Sequence, residues 1–186
     1  MRRYRYLLGD RRRERARLQH QASIWDPKAL ALFDRLKVRR GWRVLEIGPG
    51  QGSLHKELRR RVRGPVDAVE PSAAFADGIR RLARRDGFGE GQLWQCHLID
   101  APLPRNTYDL IFARWVFLFL PNPEAHLRKL VAALKPGGVL AVWSAAQDAA
   151  FARRLAKAGF AVDQVTVRAR GNGKGARHTI WFAQAR

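Results

Sequence analysis

The sequence predicts an α/β fold: a three-layer, doubly wound Rossmann-like sheet of seven mostly parallel strands, with an antiparallel strand in a C-terminal β-hairpin. Three observations predict it. Short apolar runs alternate with amphipathic helical segments from residue 43 to 160, which is typical of βαβ units. The run VLEIGPGQGS (44–53) places glycines between a strand and a helix. Two apolar runs near the end of the chain flank a glycine-rich turn, which indicates a hairpin.

Each predicted element follows from its hydrophobic pattern and its boundary residues. The Arg-rich stretch 1–22 is predicted to be helical from about Tyr6, and Trp25-Asp26-Pro27 separates it from a second helix at 27–37. The predicted strands are 43–48, 65–71, 93–100, 108–116, 139–146, 160–170 and 177–186. The other predicted helices are 53–62, 72–86, 123–135 and 149–159, and Pro136-Gly137-Gly138 is predicted to stop the helix at 123–135 and form a turn.

The charge, the cysteine count and the longest apolar run limit the classes of function that the protein can have. The 36 Lys and Arg residues against 16 Asp and Glu give a formal charge of +20, which favours a polyanionic partner such as RNA. An arginine bias set by base composition explains the same count, and no zinc-finger cysteines, RNP motif or GXXG loop supports nucleic acid. The single Cys96 excludes an internal disulfide and, without a secretory signal, predicts a cytoplasmic location. The longest apolar run, 110–121, is too short for a membrane helix.

The glycine run predicts a cofactor site. Backbone N–H groups at the start of a helix bind polar groups, and glycines let a ligand approach the backbone. The spacing is E-x-G-x-G-x-G, with Ser53 where a dinucleotide fingerprint has its third glycine, and no GxxxxGK[ST] motif occurs. Glu46 repels phosphate and attracts a cation, so the cofactor with a sulfonium and an ammonium group, S-adenosylmethionine (SAM), fits best. We expect no metal site.

The run EIGPGQG resembles motif I of the class I SAM-dependent methyltransferases, and the resemblance continues over about residues 40–160. It implies that Glu46 and the motif I turn hold the methionine end of SAM, that Glu70 binds the ribose, and that Asp100 binds the adenine. With their neighbours, the expected cofactor residues are Glu46, Gly48, Pro49, Gly50, Gly52, Glu70, Pro71, Asp100, Ala101 and Arg114. The sequence favours a solvated helix position for His55 over a cofactor contact.

The segment ARWVFLFLPNPEA resembles the small-molecule branch related to ubiquinone and menaquinone methyltransferases. In that family the segment after the fourth strand faces the methyl group, so Trp115 and Phe117 are predicted to line an apolar acceptor pocket. Arg114 is expected either to hold an acidic acceptor or to form a salt bridge with Glu46 or Asp100. No catalytic base is identified, because the sulfonium already activates the methyl group.

The chain departs from that branch after the fifth strand. WSAAQDAA leads almost directly into a helix, where relatives carry a helical insert over the acceptor. Three explanations stay open: a large acceptor at an open site, another chain that closes the site, or SAM binding without methylation.

The N-terminal stretch resembles the lid helix of the same branch. We therefore divide the chain into a basic lid segment, 1–38, and a methyltransferase domain, 39–186, with Tyr6 and Gln21 to Trp25 as lid candidates on the acceptor side. Five residues of the hairpin are predicted to form a basic rim on the cofactor side of the sheet: Arg168, Arg170, Lys174, Arg177 and His178. This rim would hold an anionic acceptor, RNA included, with Arg177 and His178 on the acceptor side; a solvated, flexible turn is the alternative.

The preferred function is methyl transfer from SAM to a small apolar or acidic metabolite, leaving S-adenosylhomocysteine. Three alternatives stay open: an RNA methyltransferase that uses the basic rim, a non-catalytic SAM-binding regulatory protein, and a nicotinamide-dependent enzyme.

Overall fold

A computed structural model describes residues 12–145, 147–169 and 175–185. The helices are α1 (Arg12–Arg35), α2 (Ser53–Val62), α3 (Ala73–Asp86), α4 (Pro123–Ala133) and α5 (Ala149–Lys157), with a short 3₁₀ helix at Phe117–Phe119. The strands are β1 (Val44–Ile47), β2 (Asp67–Val69), β3 (Leu93–Trp94), β4 (Tyr108–Arg114), β5 (Leu134–Ser144), β6 (Phe160–Arg168) and β7 (Arg177–Ala185).

The seven strands form one mixed sheet in the order β3-β2-β1-β4-β5-β7-β6. The pairs β1–β2, β2–β3 and β4–β5 are parallel, whereas β7 pairs antiparallel with both β5 and β6. The predicted α/β class, with seven mostly parallel strands and an antiparallel C-terminal strand, is confirmed. The chain forms two compact units that divide between Ala101 and Pro102.

The first unit builds its sheet from short, buried strands. All four residues of β1 are buried, and Leu45 lies opposite Asp67 in the parallel pairing with β2. The helix α2 begins at Ser53 and α3 begins after the cap Ser72, whose hydroxyl accepts a hydrogen bond from the Phe75 N–H at 3.4 Å. Both helices were predicted to within one residue, because each has a clear apolar face and a clear boundary.

The helix α1 corrects the sequence prediction at Pro27. The chain does not break there: one helix of 24 residues runs from Arg12 to Arg35 with Pro27 inside it. Proline removes one backbone donor from the helix, but buried residues flank it on one face, with Trp25, Ala29 and Phe33 spaced at i, i+4 and i+8. Their packing outweighs the local cost of the proline.

The third predicted strand is also corrected. The strand β3 contains only Leu93 and Trp94, whereas the sequence predicts a strand as far as Asp100. The Asp100 N–H instead donates to the His97 carbonyl at 3.0 Å, which makes residues 97–100 a turn. Asp100 therefore follows β3 after a loop rather than directly, and Cys96 is half-buried in that loop.

In the second unit, the segment Lys135-Pro136-Gly137-Gly138 lies within β5 instead of forming a separate turn. Tyr108 pairs with Leu134 and Leu110 pairs with Val139. Between these two pairs the chain moves five residues along β5 but only two along β4. The segment is thus a bulge. Gly138 is required there, because a Cβ atom at this position would lie 2.7 Å from the Tyr108 carbonyl oxygen.

Candidate active site

The motif I turn is a sharp bend between β1 and α2 that depends on three glycines. Gly48, Gly50 and Gly52 have φ angles of +65°, +54° and +80°, a region that favours glycine. The Gly48 N–H donates to the Val69 carbonyl at 2.9 Å, which ties the turn to the end of β2. The turn then leads into α2, where the Gly52 carbonyl accepts the first helical hydrogen bond from the Lys56 N–H at 2.9 Å.

Gly52 also packs against α3. A Cβ atom on Gly52 would lie 2.7 Å from the Ile79 Cδ1 atom, so the Ile79 side chain would have to shift. The positive φ angle favours glycine at this position, and the packing adds to that preference.

Glu70 connects the turn to the end of β2. Its Oε2 accepts a hydrogen bond from the Gly50 N–H at 3.1 Å, and its Oε1 accepts one from the Ser72 N–H at 2.9 Å. Only 2% of the residue is exposed. Burial raises the pKa of Glu70 to about 7; the two N–H groups act to lower this pKa, and the nearby charge of Glu46 acts to raise it.

Glu46 and His55 form a buried pair beside the same turn. The Glu46 Oε2 lies 3.0 Å from the His55 Nδ1, and the two residues are 3% and 1% exposed. The solvated position favoured for His55 is therefore wrong. His55 lies on the buried face of α2. The Glu46 carboxylate on β1 forms a hydrogen bond with it, which offsets the cost of burying a polar ring.

Two further cofactor candidates follow β3. Asp100 is exposed and Ala101 is fully buried, with the Ala101 N–H donating to the Leu98 carbonyl at 3.3 Å. Pro49 accepts the Gly52 N–H at 2.9 Å through its carbonyl, and Pro71 lies between Glu70 and the α3 cap. The first unit thus holds nine of the ten cofactor candidates, and their contacts with SAM stay predictions.

Comparison with known proteins identifies the family. A family model described as "Methyltransferase domain" matches residues 45–142, which is just over half of the chain. The chain belongs to the class I SAM-dependent methyltransferases. Their cofactor is SAM, as the motif I turn and Glu46 indicate.

This chain is similar to family members from more than one branch. A trans-aconitate 2-methyltransferase of Rhodopseudomonas palustris is 39% identical over 103 residues, 54% of this chain and 37% of that protein. A ubiquinone/menaquinone biosynthesis C-methyltransferase of Idiomarina loihiensis is 31% identical over 104 residues, 54% of this chain and 41% of that protein. The chain therefore spans about two-fifths of the length of these curated relatives.

The fold is that of solved methyltransferases. A SAM-dependent methyltransferase from Aquifex aeolicus superposes with a TM-score of 0.71 and 21% identity, covering 89% of this chain and 93% of that one. At this identity the similarity shows the fold alone.

In the second unit, the residue that follows β4 is a tryptophan in an unusual backbone conformation. Trp115 has a φ angle of +58°, and its N–H donates to the Trp143 carbonyl at 2.8 Å. The Arg114 guanidinium carbon lies 4.9 Å from the Trp115 ring centre and 6.0 Å from that of Trp143. Arg114 thus stacks on aromatic rings, and the expected ion pair with Glu46 or Asp100 stays a prediction.

His178 belongs to the same aromatic group. The Trp143 Nε1–H donates to the His178 Nδ1 at 3.0 Å, and the His178 ring lies 5.6 Å from the Trp115 ring. Burial, followed by the charge of Arg114, lowers the pKa of His178. The sequence places His178 on an exposed rim, but the structure buries it, because β7 is an interior strand between β5 and β6 and its residues 178–181 are all buried.

Beyond Trp115 lies a pocket of about 130 Å³, which we call the aromatic pocket. Its lining includes the five aromatic residues Trp115, Phe117, Trp143, Phe151 and Trp181. Phe151 contacts both Phe117, at 5.3 Å between ring centres, and Trp181, at 4.9 Å. Phe151 and Trp181 were not predicted from the sequence, although the apolar run of β7 and the amphipathic face of α5 carry that signal.

The remaining candidates have mixed positions. Trp25 is buried in α1, and Arg177 and Arg168 are exposed and opposite each other at the ends of β7 and β6. Tyr6, Arg170 and Lys174 lie outside the described residues. Within the described ranges, no three His, Cys, Asp or Glu residues are grouped to hold a metal ion. In the same part of the chain, no helix has the length and apolar character to cross a membrane.

Proposed function

We propose that this chain transfers a methyl group from SAM to a small, planar, apolar acceptor. The observation that carries the transfer reaction is the motif I turn with Glu70 attached to it. Glycine N–H groups, a buried carboxylate and the start of α2 converge at the carboxyl ends of β1 and β2, where open α/β sheets bind their ligands.

SAM supplies the reactive chemistry, a methyl carbon activated by the neighbouring sulfonium. The protein residues bind and orient it. Glu70 accepts hydrogen bonds from the ribose hydroxyls through lone pairs that Gly50 and Ser72 leave open. The three glycines let the cofactor lie against the backbone, and Glu46 supplies negative charge near the methionine ammonium. Asp100 is assigned to the adenine amino group.

The aromatic pocket supports an acceptor of about the size of one ring. Apolar cavities of about 150 Å³ accept a benzene-sized guest, and this pocket has about 130 Å³. Among the described residues, the Trp181 Nε1–H is buried and has no acceptor. An acceptor ring with a hydroxyl or carbonyl oxygen would suit that donor. Arg154, which lies 3.8 Å from Asp148, also lines the pocket.

The test is transfer of labelled methyl from SAM into a metabolite extract, followed by kinetics on the product-forming fraction. Trp181→Phe keeps an aromatic ring and removes the indole N–H, so we expect a KM for the acceptor raised about tenfold with an unchanged dissociation constant for SAM. Arg128→Gln, an exposed change on α4, is the matched control. SAM binding without transfer in any fraction identifies a non-catalytic SAM-binding protein instead.

RNA is the second candidate acceptor, favoured by the formal charge of +20. The same assay with an RNA extract separates the two: label in RNA rather than in small molecules supports the RNA methyltransferase.

A further inference from the structure

A second cavity, of about 240 Å³, lies in the first unit between α2 and α3. Val66 and Gly91, which precede β2 and β3, contribute to its wall. Glu70 lies at the opposite end of β2, after its last residue. The cavity is therefore separate from the candidate cofactor residues of the turn, and we call it the α2–α3 cavity.

Arg59, one of the residues that line this cavity, has an unused donor. Its side chain is completely buried. Nε and Nη2 donate to the two carboxylate oxygens of Asp86 at 2.6 and 2.7 Å, and Nη2 also donates to the Gly89 carbonyl at 2.7 Å. Among the described residues, Nη1 has no acceptor. A buried guanidinium N–H without an acceptor is costly, so an acceptor is expected at this position.

His55 presents a second unused polar atom. Its Nδ1 is occupied by Glu46 at 3.0 Å, and its Nε2 is buried without a partner in the described part of the chain. His55 and Arg59 are four residues apart on α2 and therefore lie on one face of the helix. Both line the α2–α3 cavity.

The donors of the cavity wall indicate the class of ligand, although Arg59 and Arg80 already pair with Asp86 and Asp77. Arg59 and Arg80 line the cavity against one carboxylate, Glu90, which lies 3.6 Å from Arg84. Apolar residues from α3, such as Ile79 and Ala83, complete the wall. A partly apolar cavity lined by two arginines, one of which has an open guanidinium N–H, is suited to an oxygen anion.

We propose that the α2–α3 cavity is a binding site for a small oxyanion, a carboxylate or a phosphate. One oxygen accepts the Arg59 Nη1–H, and a second pairs with the His55 Nε2. The hydrogen bond between His55 Nε2 and the ligand oxygen needs one proton. Either the imidazole carries it and donates to the oxygen, or the acid form of the ligand carries it and donates to Nε2. Because His55 also holds Glu46, the ligand is connected to the motif I turn through one side chain.

The experiment is calorimetric titration of the intact protein with inorganic phosphate and, separately, with acetate, each against sodium chloride of equal ionic strength. We expect saturable one-to-one binding that chloride does not reproduce. The anion that binds with the higher affinity shows whether the natural ligand is a phosphate or a carboxylate. His55→Asn keeps a nitrogen near the position of Nδ1 for Glu46 and removes Nε2, so binding should weaken at least tenfold.

Two further variants make the outcome decisive. Ala83→Leu fills the cavity without removing a polar group and should abolish binding, which tests the site even if His55→Asn folds poorly. Arg85→Gln removes an exposed charge from the same helix α3 and should leave the affinity unchanged. A cavity that holds water alone gives no saturable heat. The proposal is overturned by any one of three results. These are no saturable heat, a response equal to that of chloride, or wild-type affinity in both His55→Asn and Ala83→Leu.

Discussion

At the scale of single residues, two opposing effects act on the protonation of Glu70. Burial favours its protonated form, whereas the Gly50 and Ser72 N–H groups favour the carboxylate that would accept the ribose hydroxyls. The outcome is a pKa of about 7, so this acid changes its charge near neutral pH. Its role as a ligand should therefore depend on pH.

The first prediction concerns cofactor affinity. Glu70→Ala should weaken binding of S-adenosylhomocysteine by about 1–3 kcal/mol, because charge-assisted hydrogen bonds to the ribose are lost. For the wild type, affinity should fall about tenfold from pH 8 to pH 6, as the carboxylate becomes protonated around its pKa of about 7. Calorimetry at several pH values measures both effects. Equal affinity at pH 6 and 8 would show that Glu70 is not a ligand.

The second prediction concerns stability without cofactor. The pKa of Glu70 is raised from its ordinary 4.5 to about 7 on folding, so the native state binds the proton more tightly between these values. Stability should fall as pH rises from 4.5 to 7, by up to roughly 3 kcal/mol, and this contribution should be constant above pH 7. Glu70→Gln should lack that decline in urea unfolding. A parallel decline in the variant would assign the pH dependence to other groups.

At the scale of elements, agreement with the sequence depends on how far a local pattern decides the structure. The helices α2 and α3 were predicted closely because cap, apolar face and stop agree. The ends of β3 and β5 were not, because strand ends are set by pairing. The strand β3 stops where β2 offers no further partner, and β5 begins at Leu134, which pairs with Tyr108 just before the bulge at Lys135–Gly138. Pro27 gave a strong stop signal that buried neighbours in α1 override.

The third prediction compares two glycines. Gly52→Ala should destabilise the protein by more than 1 kcal/mol, because φ is +80° and the new Cβ would lie 2.7 Å from Ile79 Cδ1. Gly78→Ala, in the middle of α3 with no atom within 4 Å of the new Cβ, should stabilise it by about 0.5–1 kcal/mol. Thermal unfolding of both variants measures the difference, and a shift in the same direction for both would contradict the assigned geometry.

The fourth prediction concerns the ion pair between α2 and the end of α3. Asp86→Ala leaves the fully buried Arg59 without its carboxylate and should cost about 3–5 kcal/mol. Asp77→Ala removes the exposed partner of Arg80 on the same helix and should cost less than about 1 kcal/mol. Urea unfolding of the two variants supplies the comparison, and similar losses would mean that burial of Arg59 is not the deciding factor.

At the scale of the whole molecule, the charge of +20 makes weak, unspecific RNA binding the expected background. As the fifth prediction, affinity for any RNA should fall by about 10³-fold or more between about 50 and 200 mM salt if six or more phosphates are contacted. Filter binding with two unrelated RNA sequences measures it. If one of the RNAs is a substrate, the protein should still bind it more tightly than the unrelated sequence at the higher salt concentration.

The candidate site shows the same division between local and long-range information. The sequence identifies the motif I glycines and Glu70, because a strand, a turn and a helix define them within a few residues. It misses the burial of His55, which depends on Glu46 across the turn, and the pockets lined by Arg59 or Trp181. Those pockets join residues from separate elements, and no spacing along the chain records which of them meet.

The aromatic pocket also supplies its own optical probe. Three of the six tryptophans of the chain, Trp115, Trp143 and Trp181, contribute to its lining. A guest that enters it changes the surroundings of half the indoles at once, so intrinsic fluorescence offers a label-free screen for the unknown acceptor.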